Sequence, residues 1–417
     1  MADFVIRGDI AYTPAPDRLE LCPDGYLVCE NGLCAGVFRE LPERYAGFPL
    51  YDRRGMFVIP GYTDLHLHAP QFPNMGIGMD RGLLQWLETL TYPAESLFSD
   101  IEKSEPVYQE FTAALRSTFT TRAVVFATTH VPATLRLMEL LEESGLHTYV
   151  GKLSMDANCS EPLRETSAEA ALEAVETWLD ACEGRFRHTH PILTPRFAPA
   201  CTAPLLTGLG EIAARRNVPV QSHLSETHDE IAWVRELFPE ASGYADVYRR
   251  AGLLGPQCVM AHCIYLEEDE VSLLRETGTV IAHCPTSNTN IRSGIAPISR
   301  FMDAGLRLGL GSDISGGHTL DLAEVMREAI RVSGLRWRLC GDVRPLTPTE
   351  AFWLATKGGG NYFGKVGSFE PGYEFDALVV DIGNADGRSL RDRFDRLIYL
   401  GSADDLYEKY VGGVKLS

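Results

Sequence analysis

The sequence predicts an α/β fold, a (β/α)8 barrel of the TIM type with a small β-sandwich formed by the N- and C-terminal segments. Between residues 57 and 312, eight short apolar runs rich in β-branched residues alternate with longer amphipathic stretches. Both ends of the chain instead alternate apolar and polar residues around turn-forming residues. The length of 417 residues suffices for one large domain and one smaller domain.

The central part of the chain carries the pattern expected of parallel strands joined by helices. We interpret its apolar runs as strands at residues 57–67, 123–128, 148–155, 190–195, 218–223, 258–262, 278–283 and 306–312. In the intervening stretches, for example residues 168–183 and 266–278, apolar side chains recur every three or four residues, as on one face of a helix. Eight such units fit a (β/α)8 barrel by count.

The two ends of the chain predict a separate β-module. DFVIRGDIAYTP and DGYLVCENGLCAGVFRE lie near the start of the chain, and EFDALVVDIG lies near its end. Their alternating pattern indicates half-buried strands, and the barrel segment is inserted between them. We therefore expect residues 1–58 plus 368–417 to form the small β-sandwich domain and residues 59–367 to form the barrel.

Composition and charge exclude several classes of partner. The chain has 38 basic and 57 acidic residues and a formal charge of -19, which repels phosphate backbones and anionic membrane surfaces. We expect a small-molecule substrate, with no nucleic-acid polymer and no membrane as partner. The ten cysteines form no C-x-x-C pair, and no signal peptide or membrane span is evident. A cytoplasmic location with reduced thiols is the resulting expectation.

Four residues at the ends of predicted strands suggest a metal site. In His66-Leu67-His68 the two imidazoles are two residues apart, so a strand places both on one side. Such a pair alone is also typical of exposed or hydrogen-bonded histidines. His223 and Asp313, however, also follow apolar runs, and the carboxyl ends of barrel strands are where active sites form. Three imidazoles and one carboxylate suit Zn²⁺, and Fe²⁺ could also fit.

Two further side chains fit catalysis beside that metal. Glu226 lies three residues after His223, close enough to transfer protons without binding the metal. Its alternative role is a solvated carboxylate at the start of a helix. His262 ends the next predicted strand and could hydrogen-bond a hydroxide and the oxyanion that follows, or could be a core histidine bonded to a carbonyl.

Longer motifs resemble the amidohydrolase superfamily through nearly the whole barrel and into the closing β segment. The motifs that carry the resemblance include PGYTDLHLHAPQF, LLQWLETLTYPAE, LTPRFAP, QSHLSETHDE, VMAHCIYL, IAHCPTSN and GLGSDISGG. The resemblance implies His66, His68, His223 and Asp313 as ligands of one metal per subunit, Glu226 as the proton-transfer group, and His262 beside the reactive water. It also implies a homodimer.

LLQWLETLTYPAE and LTPRFAP are particular to a branch that hydrolytically removes the exocyclic amino group of a purine-like ring. The resemblance implies guanine as its substrate, attacked by a hydroxide formed from water on the metal. Gln71, Arg196 and Phe197 are the implied substrate contacts; an amide and a guanidinium can bond the ring edges while a phenyl face packs on the heterocycle. Their structural alternatives are a strand-end Gln, a surface Arg and a core Phe. Lys152 stands where some members carry a metal-bridging lysine, and we interpret it as structural.

The sequence is also compatible with other functions. The substrate could be another aminated heterocycle, such as a pterin, 8-oxoguanine or a triazine. The barrel could instead bind metal without catalysis, although Glu226, His262 and Asp313 are all retained, which argues against this. A deaminase of the cytidine-deaminase type is disfavoured because its P-C-x-x-C element is absent.

Overall fold

The strands of the protein belong to two large sheets and one short pair in the computed structural model, which describes residues 3–383 and 387–416. The strands are β1 (Phe4–Ala15), β2 (Arg18–Glu30), β3 (Leu33–Phe38), β4 (Leu50–Pro60), β5 (Tyr62–His68), β6 (Thr120–Phe126), β7 (His147–Gly151), β8 (Leu153–Ser154), β9 (Thr189–Pro191), β10 (Thr194–Pro195), β11 (Val220–Leu224), β12 (Cys258–His262), β13 (Val280–His283), β14 (Arg307–Leu310), β15 (Ala377–Val380), β16 (Leu406–Val411) and β17 (Val414–Lys415).

Helices occupy most of the connections between the barrel strands. They are α1 (Leu83–Trp86), α2 (Tyr92–Ser96), α3 (Ile101–Ser117), α4 (Val131–Ser144), α5 (Ala168–Cys182), α6 (Ala203–Arg216), α7 (His228–Leu237), α8 (Tyr244–Arg250), α9 (Glu268–Thr277), α10 (Pro285–Asn290), α11 (Ile298–Asp303), α12 (Leu322–Cys340), α13 (Pro348–Trp353) and α14 (Leu390–Leu400). In the described parts of the chain, every helix is too short or too polar to cross a bilayer.

The eight-stranded sheet is the predicted barrel. Its order is β11-β12-β13-β14-β5-β6-β7-β9, and every neighbouring pair is parallel. Just after β9, Leu193 accepts a hydrogen bond from the backbone N of Gln221 and donates one to the carbonyl of Pro219, at 2.9 and 2.8 Å. These bonds join the two outer strands of the sheet, so the (β/α)8 fold class is confirmed.

Three predicted strands are wrong in extent, because residues 57–67, 148–155 and 190–195 are each divided between two sheets. Residues 148–155 and 190–195 contribute β7 and β9 to the barrel and β8 and β10 to the short pair.

Residues 57–67 are divided between the two large sheets. β4 ends at Pro60, and β5 begins at Tyr62 in the barrel. Gly61 separates the two strands, and its backbone N donates to the carbonyl of Asp376 at 3.1 Å. A Cβ at Gly61 would lie 2.3 Å from the side chain of Thr121, so only glycine fits.

The other large sheet combines the two ends of the chain. Its order is β17-β16-β15-β4-β1-β2-β3, and Leu33 of β3 also pairs with Glu374 just before β15, so the sheet folds back on itself. Phe4 packs edge-on against Phe375 at 5.1 Å between ring centroids and lies 5.2 Å from Tyr410. The termini therefore share a core, as expected. Residues 1, 2, 384–386 and 417 of the expected small domain lie outside the described residues, and the domain limits stay a prediction.

A buried ion pair joins this small sheet to the barrel. Arg122 of β6 donates to both carboxylate oxygens of Asp376, at 2.7 and 3.0 Å, and to Glu374 at 2.6 Å. Arg122 and Asp376 are both buried. Removing one partner of such a pair costs about 3–5 kcal/mol, because the other charge then stays buried and uncompensated.

Candidate active site

The residues singled out at the strand ends converge at the carboxyl end of the barrel. His66 and His68 lie at the end of β5. His223 is the penultimate residue of β11, and His262 is the last residue of β12. Asp313 follows β14 by three residues. Because these strands are parallel neighbours, their ends meet at one edge of the sheet.

The distances between the nitrogen and oxygen atoms fit a single divalent cation. Nε2 of His68 lies 3.3 Å from Nε2 of His66 and 3.2 Å from Nε2 of His223, and Oδ1 of Asp313 lies 3.1 Å from Nε2 of His66. Ligand atoms held tetrahedrally at the zinc–nitrogen distance of about 2.0–2.1 Å are about 3.3 Å apart. His66, His68 and His223 could therefore hold a metal, as could His66 with His262 and Asp313.

The protonation states of these side chains also suit a cation. Burial lowers the pKa of His66, His68 and His223, so their rings are neutral and their lone pairs are available. Burial opposes ionisation of Asp313, but the electrostatic interaction with His66 and the hydrogen bond from that ring hold the pKa of Asp313 well below its usual value. The set thus supplies neutral imidazoles and one anion, which are the forms that bind metal.

Hydrogen bonds at Nδ1 fix the ring orientations of His223 and His262. Nδ1 of His223 donates to the backbone carbonyl of Arg196 at 2.5 Å, so Nε2 faces the other histidines. Nδ1 of His262 bonds Oδ1 of Asn288 at 2.9 Å. The backbone of His262 and Asp313 is left-handed, with φ of 69° and 49°. Such strain at non-glycine residues is typical of functional sites, where packing enforces an exact side-chain direction.

Glu226 lies beside this cluster with an environment suited to proton transfer. Its Oε1 accepts from the hydroxyl of Ser293 at 2.8 Å, and its Oε2 lies 3.4 Å from Nε2 of His262. Its backbone N donates to Glu230 at 2.8 Å. Burial raises the pKa of Glu226 to about 7, against the opposing charge of His262. A carboxyl group that titrates near neutral pH can both give and take a proton.

A pocket of about 410 Å³ opens directly onto these side chains. Its walls include all three of the expected substrate contacts, Gln71, Arg196 and Phe197. Leu83, Trp86 and Leu87 add an apolar wall from the helical segment that runs from α1 through a π-helical turn, Leu87–Thr91, into α2.

Several residues of the site were not anticipated from the sequence. Glu95 of α2 accepts hydrogen bonds from both Gln71 and Arg196. Ser293 hydrogen-bonds Glu226, and Asn288 hydrogen-bonds His262. Glu95 and Asn288 lie within LLQWLETLTYPAE and IAHCPTSN, two of the motifs that carry the family resemblance, and this position was the available signal. Ser293 lies in the loop between α10 and α11 and had no such signal.

Lys152 is buried and does not line this pocket. Its ammonium group bonds Glu165 and the carbonyl of Leu153, the latter at 3.1 Å. These contacts agree with the structural role expected for it.

Comparison with known proteins defines the class to which this fold and site belong. The family model described as "Amidohydrolase family" matches residues 57–406, and the chain belongs to this family. The chain is 41% identical over 347 residues to a probable guanine deaminase of Schizosaccharomyces pombe, covering 82% of this chain and 66% of that protein. It is 38% identical to the guanine deaminase of Dictyostelium discoideum, covering 88% of this chain and 83% of that one.

Solved structures show the same likeness. A guanine deaminase from C. acetobutylicum, with bound guanine in its active site, superposes with a TM-score of 0.96 at 40% identity and covers 99% of each chain. The guanine deaminase of E. coli superposes with a TM-score of 0.89 at 29% identity, covering 100% of this chain and 99% of that one.

Proposed function

We propose that the chain is a metal-dependent guanine deaminase, which hydrolyses guanine to xanthine and ammonia. The observation that carries this proposal is the convergence of His66, His68, His223 and Asp313 at the floor of a pocket that also contains Glu226. Identity of about 40% to guanine deaminases supports guanine as the substrate. The chemistry would belong to the barrel, residues 59–367, with residues 1–58 and 368–417 as the small β-domain.

The donor atoms suggest which residues would hold the metal and which metal it would be. His66, His68, His223 and Asp313 offer three neutral nitrogens and one carboxylate oxygen, a set suited to one Zn²⁺ per subunit or to Fe²⁺. A divalent cation bound there would supply Lewis acidity, which makes water acidic enough to lose a proton near neutral pH.

The proton transfers can be assigned to residues of the chain. Asp313, whose pKa is held low, accepts a proton from the attacking water. As the water oxygen adds to C2 of guanine, Glu226 donates a proton to a ring nitrogen and the carbon becomes tetrahedral. His262 hydrogen-bonds the new oxygen. The hydroxyl on C2 then loses its proton to Glu226, which passes a proton to the amino group. The C2–N bond breaks, ammonia leaves and C2 becomes the new carbonyl of xanthine, while the proton on Asp313 returns to Glu226 through solvent.

The pocket wall would bind guanine through complementary groups. The amide of Gln71 and the guanidinium of Arg196 can bond ring nitrogens and the carbonyl edge. Phe197 can pack against the flat ring. All three side chains line the pocket.

The test combines elemental analysis of the purified protein with ammonia release from a panel of heterocycles. We expect about one metal ion per chain and the highest kcat/KM on guanine. The panel should include a pterin, 8-oxoguanine and a triazine. A preference of about 100-fold for the pterin, equivalent to about 2.7 kcal/mol, would refute guanine as the substrate. Full metal content without turnover of any compound would instead indicate a silent metal-binding barrel.

We also propose that the protein is a homodimer. The last turns of α12 expose large apolar side chains, Leu335, Trp337 and Leu339, which are 53–77% exposed. Leu335 and Leu339 are four residues apart and therefore share one face of the helix, and exposed apolar side chains on one face are typical of interfaces. Light scattering on a column should give twice the chain mass, and L339E should lower the measured mass toward that of one chain.

A further inference from the structure

A buried carboxylate joins the two polar side chains of the pocket wall. Glu95 lies on α2, away from the strand ends, and is fully buried. Its Oε1 accepts from Nε2 of Gln71 at 2.8 Å and from Nη2 of Arg196 at 3.1 Å. Its Oε2 accepts from Nη1 of Arg196 at 2.5 Å. Gln71 and Arg196 are each 2% exposed, so water cannot substitute for these bonds.

These contacts fix which way the Gln71 amide faces. An ionised carboxylate only accepts hydrogen bonds, so the side of the amide that faces Glu95 must be its NH₂ group. The opposite side receives the backbone N–H of Ser315, which only donates, at 3.2 Å to Oε1. A reversed amide would place the Gln71 oxygen against the carboxylate of Glu95 and the Gln71 NH₂ group against the backbone N–H of Ser315. Gln71 therefore keeps one N–H and one lone pair of defined position for a ligand.

The same carboxylate orients the guanidinium. Arg196 offers Nη1 and Nη2 to the two oxygens of Glu95, a paired geometry that sets the plane of the group. Tyr92, one turn earlier on α2, lies with its ring centroid 5.1 Å from Cζ of Arg196. Two residues of α2 thus position the guanidinium, Glu95 by its charge and Tyr92 by its aromatic face.

We propose that Glu95 is a positioning and specificity-determining residue that sets the hydrogen-bond pattern of the substrate pocket. This inference rests on the proposed function. With Glu95 in place, the free N–H of Gln71 and those of Arg196 lie on the Glu95 side of the pocket wall, and the free lone pair of Gln71 lies on the Ser315 side. A substrate atom that faces the Glu95 side therefore meets donors from both residues. Such a wall favours a ring carbonyl, as in guanine, over an amino group at the same position, as in 2,6-diaminopurine. An amino group at that position would place its own N–H donors against the N–H donors of Gln71 and Arg196.

The test measures kcat and KM separately for guanine and 2,6-diaminopurine with E95Q. The substitution keeps the shape of the side chain but removes its charge and gives it an NH₂ group, so Gln71 can reverse. Loss of charge-assisted hydrogen bonds predicts a KM for guanine raised about 10- to 100-fold, with kcat changed less than about threefold. The guanine preference, as a ratio of kcat/KM values, should fall at least about tenfold. Metal content should stay unchanged.

A matched control separates this role from the general loss of a buried ion pair. D376N removes one of the two carboxylate charges that face Arg122 at the junction of the barrel and the small sheet, the buried one. It should lower the melting temperature and leave the KM and the guanine preference unchanged. E95D keeps the charge with a shorter side chain and should retain more of the preference than E95Q. If E95Q does not fold, E95D is compared directly with wild type, and a lowered preference is again the expected result.

Two results would overturn the inference. One is an unchanged KM and preference in a folded E95Q. The other is an equal loss of kcat/KM on both purines, which is what a merely structural role produces. The wild-type assay in the same series tests the proposed function by itself. If wild type turns over a different heterocycle, the guanine assignment fails, whereas the effect of E95Q on the KM for that compound still supports or refutes the positioning role.

Discussion

Replacing Ser293 with alanine should change the pH dependence of the enzyme through Glu226. The Ser293 hydroxyl donates to Oε1 of Glu226 at 2.8 Å, which stabilises the ionised carboxylate and lowers its pKa. A hydrogen bond to a charged group contributes about 1.5–3 kcal/mol, and one pKa unit corresponds to about 1.4 kcal/mol. Glu226 is 2% exposed, so water cannot replace the hydroxyl. S293A should therefore raise the pKa of Glu226 by about 1–2 units.

The direction of the effect follows from the role of Glu226. If the protonated acid is the form that donates to the ring nitrogen, activity falls on the alkaline side as Glu226 ionises, and S293A extends activity to higher pH. A bound cation would lower this pKa in both enzymes alike, so the difference between them keeps its sign.

The assay is kcat/KM on guanine between pH 5 and about pH 10, because this profile reports groups of the free enzyme. S299A is a matched control: Ser299 is also buried, but its hydroxyl donates to the carbonyl of Arg344 at 2.6 Å and not to a carboxylate. An alkaline limb that stays in place in S293A would refute the reasoning. An acid limb that moves upward would show that Glu226 starts the reaction as a base.

Three further predictions concern turnover, metal and stability. E226Q should lower kcat by about two to four orders of magnitude with unchanged metal content; near-normal turnover would remove Glu226 from the mechanism. H223A should lower the metal measured per chain by more than about tenfold, and full occupancy would contradict the ligand role. Burial lowers the pKa of His283 to about 3, whereas the unfolded chain has about 6.5. Between those values only the unfolded state binds this proton, so the free energy of unfolding falls as pH drops below about 6.5. In urea unfolding from pH 7 to about pH 4.5, the free energy of unfolding should fall less steeply in H283Q than in wild type. Equal slopes would contradict this.

The sequence was most informative where local periodicity determines direction. His66 and His68 could be placed on one side of a strand because side chains alternate there, and the end of an apolar run marked the carboxyl end of the strand. The same reasoning failed at residues 57–67. Two strands in succession give one continuous apolar run, and the need for glycine at position 61 depends on the side chain of Thr121, which is distant in sequence.

Glu95 shows why other parts of the site could not be predicted. In LLQWLETLTYPAE, Glu88 and Glu95 look equally typical of a solvated helix face. Only the folded chain buries Glu95 against Gln71 and Arg196, from two other strand ends, while Glu88 stays exposed. Ser293 is similar, because its bond to Glu226 joins residues 67 positions apart.

The sheet shared by both ends of the chain has a consequence for synthesis. β4 pairs with β1 on one side and with β15 on the other, and β15 is made more than 300 residues after the first strand. While a ribosome is still extending the barrel, the free side of β4 exposes unpaired backbone groups. A nascent chain stalled before residue 377 would keep this edge open, so it should be more prone to aggregation and to capture by chaperones than the finished polypeptide.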